Sequence, residues 1–363
     1  MVDCPAPGAE ASQRLAALPV WPLLQDREQI SRKLRISVTD SCNLRCFFCH
    51  NEGQGAFGQA KRSSFTIADY KLIIGAAAAA GVREVKLTGG EPLLYRNSGH
   101  DIVDLVAGIS SIRDRHQFGL SMTTNGLLLH RYGTALRDAG LDRVTISLHT
   151  LDEIKYRTLI SPHADRSSPE DIVYAIEHAV KAGLTPVKVN MVLFGRGEKS
   201  NVNELTSIIR TCKNLGVSQL RLYTLLKHDL FPEHQRWYRF WDQDLLCDLG
   251  YALYNSRRAA DEFAAIATGM LEKRKGAIYP KPTLVMTTGK LEVTIEDMET
   301  GRFESNGLPD EGPYALRLSA FGQLRGVLSP DSPSIYLQSM LRREDAPAKL
   351  QIAFRKAREE LIP

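Results

Sequence analysis

The sequence predicts an α/β protein built on a parallel sheet, followed by a smaller α+β extension. Two observations carry that prediction. Short, nearly continuous apolar runs alternate with helical patterns up to about residue 231, as expected of strands buried on both faces in parallel pairing. From Pro232 that rhythm stops, and a long helical stretch leads into strand-like segments separated by turn residues. A chain of 363 residues, 43% hydrophobic and 24% charged, is ordinary for a globular protein and long enough for one large domain and an appendage.

Taken in order, residues 1–30 read as a lead-in, loosely ordered over the Ala-, Pro- and Gly-rich first twenty. The β-branched run Ile36-Ser37-Val38-Thr39 is the first strand, with Arg35 beside its start. Gly53–Gly58 and the basic pair Lys61-Arg62 read as a mobile loop. Thr66 is placed to cap a helix through the alanine run to Ala80, which Gly81 ends. Further strands are expected near Glu84–Thr88, Leu120–Thr124, Arg143–Leu148, Val187–Leu193 and Gln219–Tyr223. Ser168 and Pro169 cap and start a helix running to Ala182, with Gly183 behind it. These elements make a domain over residues 31–231. A doubly wound sheet would need a Gly-rich phosphate turn after the first strand, where this chain has cysteines. The extension, residues 232–363, starts with a helical stretch from Gln235 to about Thr268. Strands follow at Lys290–Glu296 and Tyr314–Ser319, then a turn at Gly322 back to Leu324–Leu328, and a final helix over Ala346–Leu361.

The chemistry gathers at Cys42, Cys46 and Cys49, spaced C-x₃-C-x₂-C directly after the first strand. Thiolates are soft ligands for zinc or iron–sulfur clusters, and a cluster held wholly by protein takes four of them. Three in one loop point to a [4Fe-4S] cluster with one iron open to a non-protein ligand. A zinc loop completed by His50 or a distant cysteine, or three unrelated core cysteines, is the competing reading. The other cysteines, Cys4, Cys212 and Cys247, are isolated, which does not look like a disulfide framework. An open cluster needs a reducing compartment, so a cytoplasmic location is expected. No apolar run approaches a membrane span and the N-terminus lacks a signal-peptide pattern. The net charge of +4 is mild and spread out, fitting anionic small molecules better than nucleic acid.

The run Arg35–His50 resembles the radical S-adenosylmethionine (SAM) signature, and in particular the opening of the GTP 3′,8-cyclase family of molybdenum-cofactor biosynthesis. The resemblance implies an incomplete (β/α)6, TIM-like barrel that carries a [4Fe-4S] cluster and binds S-adenosyl-L-methionine. It implies that Cys42, Cys46 and Cys49 hold the cluster, and that Gly89, Gly90 and Glu91 of a GGEP turn meet the SAM ammonium group. Thr124 and Ser147 would contact the SAM carboxylate or ribose, with Asn125 and Asn190 close to the same moiety and Phe48 near the adenine. The implied reaction is reductive cleavage of SAM and abstraction of a substrate hydrogen, for which no side chain is required as initiator. An electron donor such as flavodoxin or ferredoxin is the expected partner.

The match weakens toward the C-terminus. Tyr314–Arg325 resembles the family's C-terminal signature, but Gly312-Pro313 and Val327 stand where cysteines are usual, and no C-x₂-C follows residue 49. A second cluster cannot be built from these residues. Arg35, Lys86, Lys188, Arg221 and Arg317 match basic substrate-binding positions, while Ala315 replaces an arginine and Glu84 falls where a lysine is usual. The pattern implies a retained scaffold and a changed, small anionic substrate. GTP cyclisation without a second cluster, peptide modification and a non-catalytic iron–sulfur protein are the alternatives.

Overall fold

In strand Lys33–Ser37 (β1), Leu34 and Ile36 are fully buried while Arg35 between them is half-buried on the opposite face. That two-residue alternation recurs along the sheet and decides what each face does. The computed structural model describes residues 32–49, 65–161, 167–194, 200–224, 283–288, 290–296, 315–326 and 334–359. The sequence readings for residues 1–30, the loop at 53–62 and the helical stretch 235–268 lie outside the described residues.

After β1 come α1 (Ile67–Ala79), β2 (Glu84–Thr88), α2 (Ile102–Ser110), β3 (Gly119–Thr124), α3 (Leu129–Asp138), β4 (Arg143–Ser147), α4 (Pro169–Lys181), β5 (Lys188–Leu193), α5 (Leu205–Asn214) and β6 (Gln219–Thr224). The C-terminal part adds β7 (Thr283–Thr288), β8 (Leu291–Glu296), β9 (Ala315–Leu318), β10 (Gln323–Arg325), β11 (Ile335–Tyr336) and α6 (Ala346–Glu359). The helix signals act as expected. Thr66 and Ser168 each form a capping box, with Asp69 and Asp171 respectively, and Pro169 opens α4. Each such cap contributes about 1 kcal/mol.

Eleven of the described strands form one sheet in the order β11-β10-β9-β1-β2-β3-β4-β5-β6-β8-β7, and Arg96–Asn97 pairs with His100–Asp101 in a separate two-stranded hairpin. From β9 to β8 all neighbours are parallel. All six strands expected before residue 231 are present, although β1 starts earlier than its apolar run. The sheet does not stop at residue 231. Two strands read as belonging to the extension, β9 and β8, pair in parallel with β1 and β6. A sheet ending at β1 and β6 would leave a row of unpaired backbone groups on each edge, and these strands cover them. The sheet remains open, with β7 and β11 at its ends.

Register assigns the faces. Leu34, Val85, Leu120, Val144, Val189 and Leu220 belong to the apolar face and are fully buried. Each such side chain contributes roughly 1.5–3 kcal/mol. On the other face Arg35 is registered with Lys86 and Arg317, Thr145 with Lys188, and Asn190 with both Ser147 and Arg221. The sheet is thus apolar on one side and polar and cationic on the other.

Candidate active site

The cysteine loop leaves the C-terminal end of β1 and is fastened to the turn after β2. Val38 N–H donates to Thr88 O at 2.9 Å, Gly90 N–H to Thr39 O at 2.8 Å, and Glu91 N–H to Ser41 O at 2.7 Å. The two glycines make that approach possible. A Cβ on Gly89, whose φ is +151°, would lie 2.3 Å from Thr39 O, and one on Gly90 would lie 2.2 Å from Ser41 O. The loop's far side is held by Arg45 N–H to Ile160 O (3.2 Å) and Phe47 N–H to Leu159 O (3.0 Å).

Cys42, Cys46 and Cys49 are half-buried thiols, none of them in a disulfide among the described residues. Burial, followed by the charge of Glu91, pushes the Cys42 thiol up to about 12. Burial and then the neighbouring Cys49 and Cys42 raise the Cys46 thiol well above its ordinary value. The three sulfurs are therefore close enough to feel one another's charge. Among the described residues no three Cys, His, Asp or Glu side chains converge as a site for a single metal ion. A cluster presents its irons at separate corners, so its ligands need not meet at one point.

Glu91 is 1% exposed, and its carboxylate is enclosed by donors. Oε1 accepts from Thr124 Oγ1 (2.7 Å) and Leu93 N–H (3.0 Å), and Oε2 accepts from Asn125 N–H (2.7 Å). Burial outweighs these three bonds and raises its pKa to about 7. Thr124 also accepts from Gly126 N–H at 3.0 Å, and it is registered with apolar Ile146. Its hydroxyl is thus committed beneath the sheet. Thr123, on the polar face in register with Thr145, has a buried hydroxyl with no partner among the described residues. Alternation along β3 puts Thr123, which the sequence reading does not single out, on the polar face. Asn190 Oδ1 is likewise buried without a partner among the described residues.

Ser147 and Asn190 sit side by side on β4 and β5, and Arg35, Lys86, Lys188, Arg221 and Arg317 share their face. Arg317 is the most enclosed of the cations, at 5% exposure. Phe48 meets His149 edge to face, with ring centroids 4.7 Å apart.

His149 is absent from the sequence reading, and nothing local in the sequence marks it. Its Nδ1 accepts from Val192 N–H at 3.0 Å, and burial lowers its pKa to about 3. A base whose folded pKa is depressed binds fewer protons folded than unfolded, so its contribution to stability is lost as pH falls below about 6.5. The expected slope is about 1.4 kcal/mol per pH unit. His149→Asn keeps an acceptor for Val192 N–H and removes the titration. Between pH 7.5 and 5 the wild type should lose about 2 kcal/mol more stability than this variant, as read from urea midpoints.

A parallel sheet whose C-terminal strand ends gather a thiol-rich loop, a glycine turn and polar side chains has the layout of a cofactor-dependent α/β-barrel enzyme. The Radical SAM superfamily profile matches residues 36–217. The chain belongs to the radical SAM superfamily, whose members use a [4Fe-4S] cluster and S-adenosylmethionine. It is 40% identical over 191 residues to a probable GTP 3′,8-cyclase of Methanopyrus kandleri, covering 53% of this chain and 56% of that protein. It is 41% identical over 177 residues to one of Archaeoglobus fulgidus, covering 49% and 54%. The chain thus spans about half the length of these curated relatives. Its fold is similar to that of Streptococcus suis SuiB bound to S-adenosylmethionine, with a TM-score of 0.57 at 14% identity over 96% of this chain and 71% of that one.

The residues present fit both groups. Three half-buried thiols suit a soft iron cluster, and Asn190 Oδ1 and Thr123 Oγ1, which have no hydrogen-bond partner among the described residues, offer polar contacts to a ligand on the sheet's polar face. Among the described residues no helix is long and apolar enough to cross a membrane.

Proposed function

We propose that this protein is a radical SAM enzyme acting on a small anionic, nucleotide-like substrate, in a cyclisation or rearrangement belonging to cofactor or natural-product biosynthesis. The observation that carries this reading is the backbone fastening of the cysteine loop to the GGEP turn beside a polar, cationic sheet face. Cys42, Cys46 and Cys49 would hold the cluster. The glycine turn, Ser147 and Asn190 would hold SAM, with Phe48 beside the adenine. When bound, the cluster and SAM supply a one-electron reductive cleavage that yields a 5′-deoxyadenosyl radical able to abstract hydrogen. The electron would come from a flavodoxin- or ferredoxin-type donor in the cytoplasm.

The chain's own part is to orient and to exclude water. Burial holds the Cys42 and Cys46 thiols protonated in the metal-free protein, so loading releases protons and is favoured by higher pH. Arg35, Lys86 and Arg317 stand on adjacent strands, where like charges repel. A phosphate or carboxylate among them offsets that repulsion, and the planar guanidinium groups suit bidentate binding.

Identity to GTP 3′,8-cyclases favours GTP as the first substrate to test, although the stretch resembling their C-terminal signature carries no cysteine. Anaerobically loaded protein given SAM and dithionite should form 5′-deoxyadenosine, and absence of that product rejects the radical SAM assignment. Addition of GTP then separates the substrate readings by mass analysis. A cyclised GTP-derived product supports the cyclase reading. Its absence, with SAM cleavage intact, means that another anionic substrate is used.

A further inference from the structure

Of the residues matched to the SAM site, Asn125 makes contacts that face the cysteine loop. Its Oδ1 accepts from Leu127 N–H at 3.1 Å. A backbone N–H can only donate, so this bond fixes which end of the amide is oxygen. The Nδ2 end consequently faces residues 42 and 43. It donates to Asn43 Oδ1 at 2.8 Å and lies 4.0 Å from Cys42 Sγ, at the outer limit of an N–H···S contact. Leu44 N–H lies 3.4 Å from the same sulfur. The Asn125 main chain is held independently by Glu91, whose carboxylate also binds Thr124 and Leu93 N–H. Glu91 is fastened by its own N–H to Ser41 O. A closed circuit therefore runs from the turn after β2 to the end of β3 and back to the segment carrying Cys42.

We infer that Asn125 is a positioning residue for the cluster loop, fixing the Cys42 sulfur and directing an amide N–H toward it, and that its side chain is not a SAM ligand. This rests on the reading above that Cys42 holds the cluster. Hydrogen bonds and dipoles at a ligand sulfur set a cluster's reduction potential. A donor near the sulfur favours the more negative, reduced state, and removing it makes the potential more negative. Asn125→Asp is the sharp variant. It keeps the acceptor for Leu127 N–H and replaces the donor with a carboxylate oxygen that repels both Asn43 Oδ1 and the thiolate.

The test uses the full chain, loaded anaerobically, with iron content, redox titration and SAM binding measured for wild type, Asn125→Asp, Asn125→Ala and Cys42→Ala. At the wild-type midpoint potential, the reduced-to-oxidised ratio should fall roughly tenfold in Asn125→Asp, about 59 mV for a one-electron couple. It should fall less in Asn125→Ala, while the SAM dissociation constant stays within about twofold in both. If Asn125→Asp does not fold, Asn125→Ala, which only deletes the side chain, carries the test. A wild-type potential in the folded variants, or weakened SAM binding at unchanged potential, overturns the inference. Cys42→Ala separates the two levels of the argument. If it keeps the wild-type cluster, the cluster assignment itself fails; if it loses the cluster while Asn125→Asp has the wild-type potential, only the role of Asn125 fails.

Discussion

Cys46→Ala is expected to remove the iron–sulfur absorbance near ~400 nm, characteristic of thiolate-held clusters, together with all reductive cleavage of SAM. The effect should be complete because the loop supplies three thiols and a cluster with one open iron has no ligand to spare. Cys46 is also the sulfur whose charge is opposed by both neighbours as well as by burial, so its thiolate persists only against a bound cation. Iron analysis, visible spectra and 5′-deoxyadenosine formation check the prediction together. Retention of absorbance and turnover would remove Cys46 from the site.

The second large effect is expected at Gly89. An alanine there must place its Cβ 2.3 Å from Thr39 O at a φ of +151°, a region left almost wholly to glycine. Neither the carbonyl nor the backbone can yield, because Gly90 N–H is bonded to that same oxygen. Gly89→Ala should therefore destabilise the protein by on the order of 3 kcal/mol and lower its iron content after loading. Urea unfolding of metal-free protein gives the first quantity. A midpoint equal to wild type would show that the turn and the loop part readily.

Much of this site is legible in the sequence, for physical reasons that differ from residue to residue. The cysteine spacing, the GGEP turn and the caps at Thr66 and Ser168 are local patterns whose chemistry is complete within a few residues, and the described strands and helices follow them. The roles of Glu91, Thr124 and Asn125 are not legible in that way. Glu91 is marked by its GGEP turn, but the three donors its carboxylate accepts from lie 2, 33 and 34 residues away. His149 and the buried Thr123 hydroxyl emerge only when strands are in register. The coverage of β1 and β6 by β9 and β8 was likewise hidden, since it depends on pairings across more than seventy residues.

The two-sided sheet also bears on how such a protein can diverge. Leu34, Val85 and their counterparts anchor the fold from beneath, while Arg35, Lys86, Lys188 and Arg221 take no part in that apolar layer. On the function proposed above, exchange of those cations would retune which substrate is accepted and leave the cysteine loop and the apolar layer untouched.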